Sequence, residues 1–386
     1  MNRIFLLIIL LNMFLSCGNS EAVKTENEKA VAQTEIKEKL SATQKLIAAR
    51  LDSLFTSLNK SNAFNGSILV AKNGAILYNK HIGYCNKETQ CQLSDSSMFQ
   101  LASVSKVITA TAVLMLYERE LIDLEKPFSF YFPDFPYPNV TVKQLLTHRS
   151  GLPNYIYALH SEIYQPGYKM SNSDMYDYLK AKNPKIYLKP DRRFNYCNTN
   201  YALLALLIEK ASGKTYQQFL KEELFGPLGM KHSATISDLD LSWPNVTKPY
   251  DERWKAVEFD ASDYVLGDKS IYSTTYDLFL FSEALYQNRI IKPETQALAY
   301  AAYSKEKKLS NYGFGWRIKD FKDPIKKEVF HNGWWHGYRS SFHRRLNDTL
   351  TVVVLSNQLN KAAYQTYKIY QILDNSLLPD SLGDEE

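Results

Sequence analysis

Ser103-Val104-Ser105-Lys106 sets a hydroxyl and an amine three residues apart, so that on a helix the two side chains share one face. A free serine hydroxyl is a weak nucleophile near neutral pH, and acyl transfer by serine therefore requires a base held against it. The same Ser-x-x-Lys spacing recurs at Ser57–Lys60 and at Ser304–Lys307, so spacing alone does not choose among the copies. Context separates them: Ser57 ends an exposed helical pattern, and Ser304 stands in a Lys-rich loop. Only Ser103 opens a strongly apolar run, Val107 to Leu116, which reads as a buried helix. In the first turn of that helix Ser103 meets the positive end of the dipole, which favours developing negative charge. The competing account is an N-capping serine beside a solvated lysine.

These groups need a scaffold, and the surrounding pattern supplies one. Leu40, Leu46, Ile47, Leu51, Leu54, Phe55 and Leu58 recur at helical spacing and predict a first amphipathic helix over about 36–59. Asn73-Gly74 between two β-prone runs is a hairpin signal. The middle of the chain, about 102–290, is helix-rich, with helices expected at 200–212 and 275–286. Strands return at 312–319, 328–333, 341–345 and 350–356, and a last helix is expected near 361–374. Strands at both ends with helices between predict an α/β fold of α+β type: an antiparallel sheet built from both chain ends and flanked by helices, with a helical insertion over about 119–290. A cleft between sheet and insertion is the expected place for a site.

With 386 residues, 45% of them hydrophobic, the chain can fill a large core. Its 46 basic and 41 acidic residues are scattered, with no Lys/Arg block, which argues against a nucleic-acid partner. Seven dispersed histidines, without His-Glu-x-x-His or any zinc-site spacing, give no reason to expect a metal or other cofactor. At the N-terminus Arg3 precedes an apolar run from Ile4 to Leu15, too short to span a bilayer comfortably and suited to an export signal over residues 1–17. Phe14-Leu15-Ser16-Cys17-Gly18 resembles a bacterial lipobox, which implies lipidation of Cys17 and a membrane anchor in the cell envelope. Phe14 stands where leucine is usual, so a soluble periplasmic product remains the alternative. Residues 18–36 read as a flexible tether, 37–377 as the folded domain and 378–386 as a loose acidic tail; a monomer is expected. Cys85 and Cys91, six apart, either close a small loop in an oxidising compartment or remain two thiols.

Three segments, Phe99-Gln-Leu-Ala-Ser-Val-Ser-Lys106, Leu145-Leu-Thr-His-Arg-Ser-Gly-Leu-Pro153 and Phe194-Asn-Tyr-Cys-Asn-Thr-Asn-Tyr-Ala-Leu-Leu204, resemble successive landmarks of the class C β-lactamase family of penicillin-recognising enzymes, which also holds D-Ala-D-Ala peptidases and esterases. The resemblance implies a β-lactamase/transpeptidase-like fold, with Ser103 as acylated nucleophile and Lys106 and Tyr196 managing its proton. It implies that Asn198 orients the substrate and the lysine, and that His331-Asn332-Gly333 is the substrate-lining strand element. It also implies an oxyanion hole from the backbone N–H groups of Ser103 and Trp334. His148, in the second landmark, is expected to be structural. Efficient β-lactamases of this type carry lysine at the position of His331, and an unperturbed histidine is mostly neutral at pH 7. Carboxylate recognition should therefore be weaker, and esterase- or peptidase-like action on a small molecule or peptide is expected over antibiotic resistance. A sensor that is acylated without turnover, or an acyltransferase, would use the same residues.

Overall fold

Asn73 and Gly74 both adopt left-handed backbone angles, φ 52° and 74°, and so close a tight hairpin between β1 (Gly66–Lys72) and β2 (Ala75–Ile82). This computed structural model describes residues 40–163, 167–304, 311–319 and 327–374. The expected export signal with Cys17, the tether and the acidic tail lie outside the described residues. By internal contacts the chain divides into residues 1–46 and 47–386. The described part of the first unit, residues 40–46, includes the start of helix α1 (Ala42–Lys60).

In the second unit β1 and β2 join the strands from the far end of the chain. These are β3 (Asn311–Tyr312), β4 (Arg317–Lys319), β5 (Glu328–Trp335), β6 (Tyr338–Arg345) and β7 (Leu350–Ser356). They form one antiparallel sheet in the order β2-β1-β7-β6-β5-β4-β3. Every residue of β7 is buried, as a central strand covered on both faces requires. Alternation along the strands sends Ile68, Val70, Val352 and Val354 to one core, with Leu51 and Phe55 of α1 and Ile369 of the last helix, α7 (Thr366–Asp374). Leu69, Val353, Leu355 and Phe342 belong to the other, larger core, which is filled by the helical middle of the chain.

That middle supplies α2 (Ser105–Glu118), α3 (Tyr155–Ile163), α4 (Asn172–Lys182), α5 (Asn198–Ser212) and α6 (Thr275–Tyr286). Ser105 through Leu116 are buried on all sides, as a helix apolar around its whole circumference must be. No helix among the described residues is long and apolar enough to cross a membrane. The strand expected over 312–319 is divided in two. Gly315 takes φ 77°, and a Cβ on it would lie 2.8 Å from the Lys106 carbonyl oxygen, so the chain bends here to pack on α2.

Candidate active site

Ser103 precedes α2 rather than opening it. It lies in a single 3₁₀ turn, Ala102–Val104, and the α-helix begins at Ser105. Ala102 has φ 47°, an unfavourable angle for a residue with a Cβ. The turn is pinned on two sides: the Leu101 N–H donates to the Ile271 carbonyl at 2.8 Å, and Ser340 Oγ on β6 donates to the Leu101 carbonyl at 2.6 Å. From this turn Ser103 Oγ lies 3.0 Å from Lys106 Nζ and 2.9 Å from Tyr196 OH. Lys106 is fully buried, and its Nζ also donates to the Asp268 carbonyl at 2.8 Å. The three residues that sequence motifs separate by up to ninety-three positions thus meet on one oxygen.

Tyr196 immediately precedes the N-cap residue of α5 and is held by an aromatic cage, with the His148 ring 4.3 Å away, His331 at 6.2 Å and Tyr312 at 6.4 Å. His148 Nδ1 accepts from the Cys197 N–H at 3.1 Å and lies 3.1 Å from Asn200 Nδ2. Burial, with the charges of Lys106, His331 and Arg317, holds His148 well below the usual histidine range. It is a neutral acceptor that fixes the approach of the chain to Tyr196, the structural place expected for it. Cys197 is a buried free cysteine whose thiol burial pushes up to about 11, too high for a reactive thiolate.

Strand alternation divides the His331-Asn332-Gly333-Trp334 element between two faces. His331 and Gly333 face Ser103. A Cβ on Gly333 would lie 2.3 Å from the Leu101 carbonyl oxygen and 3.0 Å from Ser103 N, so only glycine admits this approach of the strand to the nucleophile turn. His331 is buried, however, and presents no surface to a substrate. Its Nδ1 donates to the Asn332 carbonyl at 2.7 Å, which leaves Nε2 to accept from Tyr312 OH at 3.0 Å. Burial first, then Arg317 and Lys106, holds its pKa well below the usual value. Asn332 corrects the expectation outright: its side chain is on the opposite face, where Oδ1 accepts from Ser341 Oγ at 2.9 Å. The Trp334 side chain shares that face, 49% exposed and 5.0 Å from the Arg339 guanidinium, so only its backbone can serve Ser103. β5 pairs with β4 only through Glu328–Phe330, so among the described residues the other edge of 331–335 has no strand partner. Asn198 is the first residue of α5 and makes no hydrogen bond to Lys106, whose second partner is the Asp268 carbonyl.

Sequence reasoning missed several groups around this centre. The Arg317 guanidinium is 5.7 Å from the Tyr196 ring and, among the described residues, has no hydrogen-bonding or ion-pair partner. Asp268, Lys269 and Tyr155 form a buried cluster behind Lys106. Asp263, also buried, accepts from Trp335 Nε1 at 2.6 Å and lies 3.0 Å from His336 Nε2, so it ties the β5–β6 turn to the segment that leads to Asp268. With Asp260 these two form a His/carboxylate group that the dispersed sequence positions do not announce. A strand pairing brings 268–273 here: Ile271–Ser273 pairs with Phe99–Gln100, just before the nucleophile turn. Nothing local in the sequence predicts that long-range pairing. Cys85 and Cys91 are joined in a disulfide, which resolves the alternative left open above.

The family model described as Beta-lactamase matches residues 51–376. Penicillin-binding protein 4* of Bacillus subtilis (strain 168) is 32% identical over 332 residues, 82% of this chain and 73% of its own length. Among solved structures, the octameric penicillin-binding protein homologue from Pyrococcus abyssi superimposes with a TM-score of 0.74 at 24% identity, covering 85% of this chain and 77% of that one. A class C β-lactamase superimposes with a TM-score of 0.73 at 19% identity, covering 88% and 97%. These two likenesses establish the fold.

Proposed function

The chain belongs to the β-lactamase family of serine hydrolases, and from that premise we propose that it cleaves an amide or ester through an acyl-enzyme on Ser103. The observation that carries the reading is the position of Ser103 Oγ, within hydrogen-bond reach of both Lys106 Nζ and Tyr196 OH. As Oγ bonds to the substrate carbonyl carbon, its proton passes to the Lys106–Tyr196 pair. The tetrahedral oxyanion is met by the backbone N–H groups of Ser103 and Trp334. Collapse breaks the bond to the leaving amine or alcohol, which takes the proton from the same pair, and water then releases the acid. In this reading Asn198, two residues after Tyr196 at the start of α5, orients the acyl group, and Gly333 keeps the strand close enough for backbone recognition.

Arg317 supports a substrate that carries a carboxylate near the scissile bond, because it stands beside Tyr196 as a cation that has no hydrogen-bonding or ion-pair partner among the described residues. The similarity to a penicillin-binding protein makes a fluorescent penicillin a sensible probe. In the test, purified protein and Ser103→Ala are incubated with that probe and with a p-nitrophenyl ester. Labelling or ester turnover that disappears in Ser103→Ala is expected. A label that persists without turnover would favour a sensor, and equal behaviour of the two proteins would remove Ser103 as nucleophile. We also propose export and anchoring through Cys17, on the strength of Arg3, the Ile4–Leu15 run and the lipobox resemblance. Release of Cys17→Ser from the membrane fraction is the expected result, and unchanged fractionation would count against the anchor.

A further inference from the structure

Lys106 depends on a carbonyl whose own position has to be fixed. Two hydrogen bonds from α2 reach this stretch of backbone: Lys106 Nζ to the Asp268 carbonyl at 2.8 Å, and Thr109 Oγ1 to the Gly267 carbonyl at 2.6 Å. Gly267 is at φ 98°, and a Cβ there would lie 2.3 Å from the Tyr201 carbonyl oxygen, so the chain can pass this close to α5 only as glycine. On the far side of the same peptide the Asp268 carboxylate is fully buried. Its Oδ2 accepts from Tyr155 OH at 2.9 Å and lies 3.3 Å from Lys269 Nζ, which also donates to the Tyr155 hydroxyl. Lys269 is 2% exposed.

We infer that Lys269 is a positioning residue for acylation: its buried ammonium, clamped between the Asp268 carboxylate and the Tyr155 hydroxyl, fixes the carbonyl that holds Lys106 against Ser103. The inference rests on the roles proposed above for Ser103 and Lys106. Its physical basis is that one residue, Asp268, uses its backbone oxygen toward Lys106 and its side chain toward Lys269, so displacement of the carboxylate moves the carbonyl. The clamp reaches the other walls of the site as well. The Tyr155 N–H donates to Thr199 Oγ1 on α5 at 2.8 Å, and the Lys269 ammonium sits 4.9 Å from the Trp335 ring on β5. Burying an ion pair is expensive, and an apolar replacement of similar volume often serves stability equally well. A pair kept directly behind the catalytic lysine is therefore better explained by placement than by stability. Burial and the neighbouring Asp268 charge hold Tyr155 well above the usual phenol range, so it remains a neutral donor to that carboxylate.

The test measures the Ser103 acylation rate at saturating fluorescent penicillin, its pH profile and thermal stability. It uses the full chain carrying Lys269→Met, Lys269→Arg or the double change Asp268→Asn with Lys269→Met. The double variant removes both charges of the pair together and so keeps the fold testable. A misplacement of about 1 Å can cost on the order of 100-fold in rate, and a loss of that order is expected for Lys269→Met and for the double variant. Half-saturation by the probe should change little, the pH profile should be displaced, and Lys269→Arg should recover most of the rate. A double variant that acylates at the wild-type rate with the wild-type profile would overturn the inference, as would losses that simply follow thermal stability across the three proteins. Ser103→Ala separates the two levels. Labelling retained there sinks the nucleophile and this inference together, whereas labelling lost there but untouched in Lys269→Met sinks this inference alone.

Discussion

Arg317 brings to the site a charge that the strand motif lacks. His331 stands where a lysine would serve a β-lactamase of this type, and it is buried, bonded at both ring nitrogens and held toward its neutral form by burial and by Arg317 itself. The expectation of weak carboxylate recognition rested on His331 alone and could not include a guanidinium from β4. Hydrogen bonds to a charged group contribute about 1.5–3 kcal/mol, roughly 10- to 100-fold in affinity. Arg317→Gln is accordingly expected to raise KM by that range for an ester bearing a free carboxylate and to leave the matched methyl ester nearly unaffected. Steady-state kinetics on the two esters decide it, and equal losses on both would assign Arg317 to structure instead.

At the scale of elements, β5 has two different faces. Toward Ser103 it presents Gly333 and the buried His331. Away from it Asn332, Ser341 and His343 form a polar network with Glu328, whose carboxylate accepts from Tyr370 of α7 at 2.7 Å and pairs with His343. That network fixes which residues of β5 face the nucleophile, because a slip of one position would exchange the faces. Gly333→Ala tests the contact from the other side. The added methyl would need the backbone of Leu101 or the Ser340 hydroxyl to retreat, since it would lie 2.3 Å and 2.2 Å from them. Overpacking of this kind costs about 1–3 kcal/mol. The variant should remain folded by circular dichroism while its acylation rate falls by roughly 100-fold. Wild-type acylation would mean that the strand need not approach Ser103 so closely.

For the whole molecule, buried titratable groups set the response to acid. His148 and His331 are held by burial below the ordinary histidine value of 6.5. Below about pH 6.5 the unfolded chain binds protons that the native protein does not, so stability falls as pH falls, by up to about 1.4 kcal/mol per pH unit for each group. Burial alone would raise Glu328, but His343, Lys319 and the hydrogen bonds from His343 and Tyr370 outweigh it and hold the carboxyl at about 2, against 4.5 when free. Its contribution is present above 4.5 and is lost as pH falls toward 2. Urea denaturation should therefore show nearly constant stability between about pH 7 and 8 and a decline that begins below about pH 6.5. His331→Gln should flatten the first part of that decline. Identical slopes for His331→Gln and the wild type between about pH 6.5 and 5 would contradict the neutral assignment of His331.

Much of this architecture was legible locally. Asn73-Gly74 dictated the hairpin because two left-handed angles suit those residues, the run after Ser103 dictated a buried helix, and 350–356 was recognisable as a strand from its Thr-Val-Val-Val-Leu run. Ser103, Lys106 and Tyr196 could be chosen from recurring motifs because order and flanking apolar helices distinguish them. What only tertiary structure decided depends on faces and on pairings distant in sequence. Strand alternation turned Asn332 and the Trp334 side chain away from Ser103, and burial withdrew His331 from contact with a substrate. The pairing of Phe99–Gln100 with Ile271–Ser273 carried Asp268 and Lys269 to Lys106 across 162 residues. Local propensity encodes the elements, whereas the neighbours of a buried charge are fixed only when those elements pack.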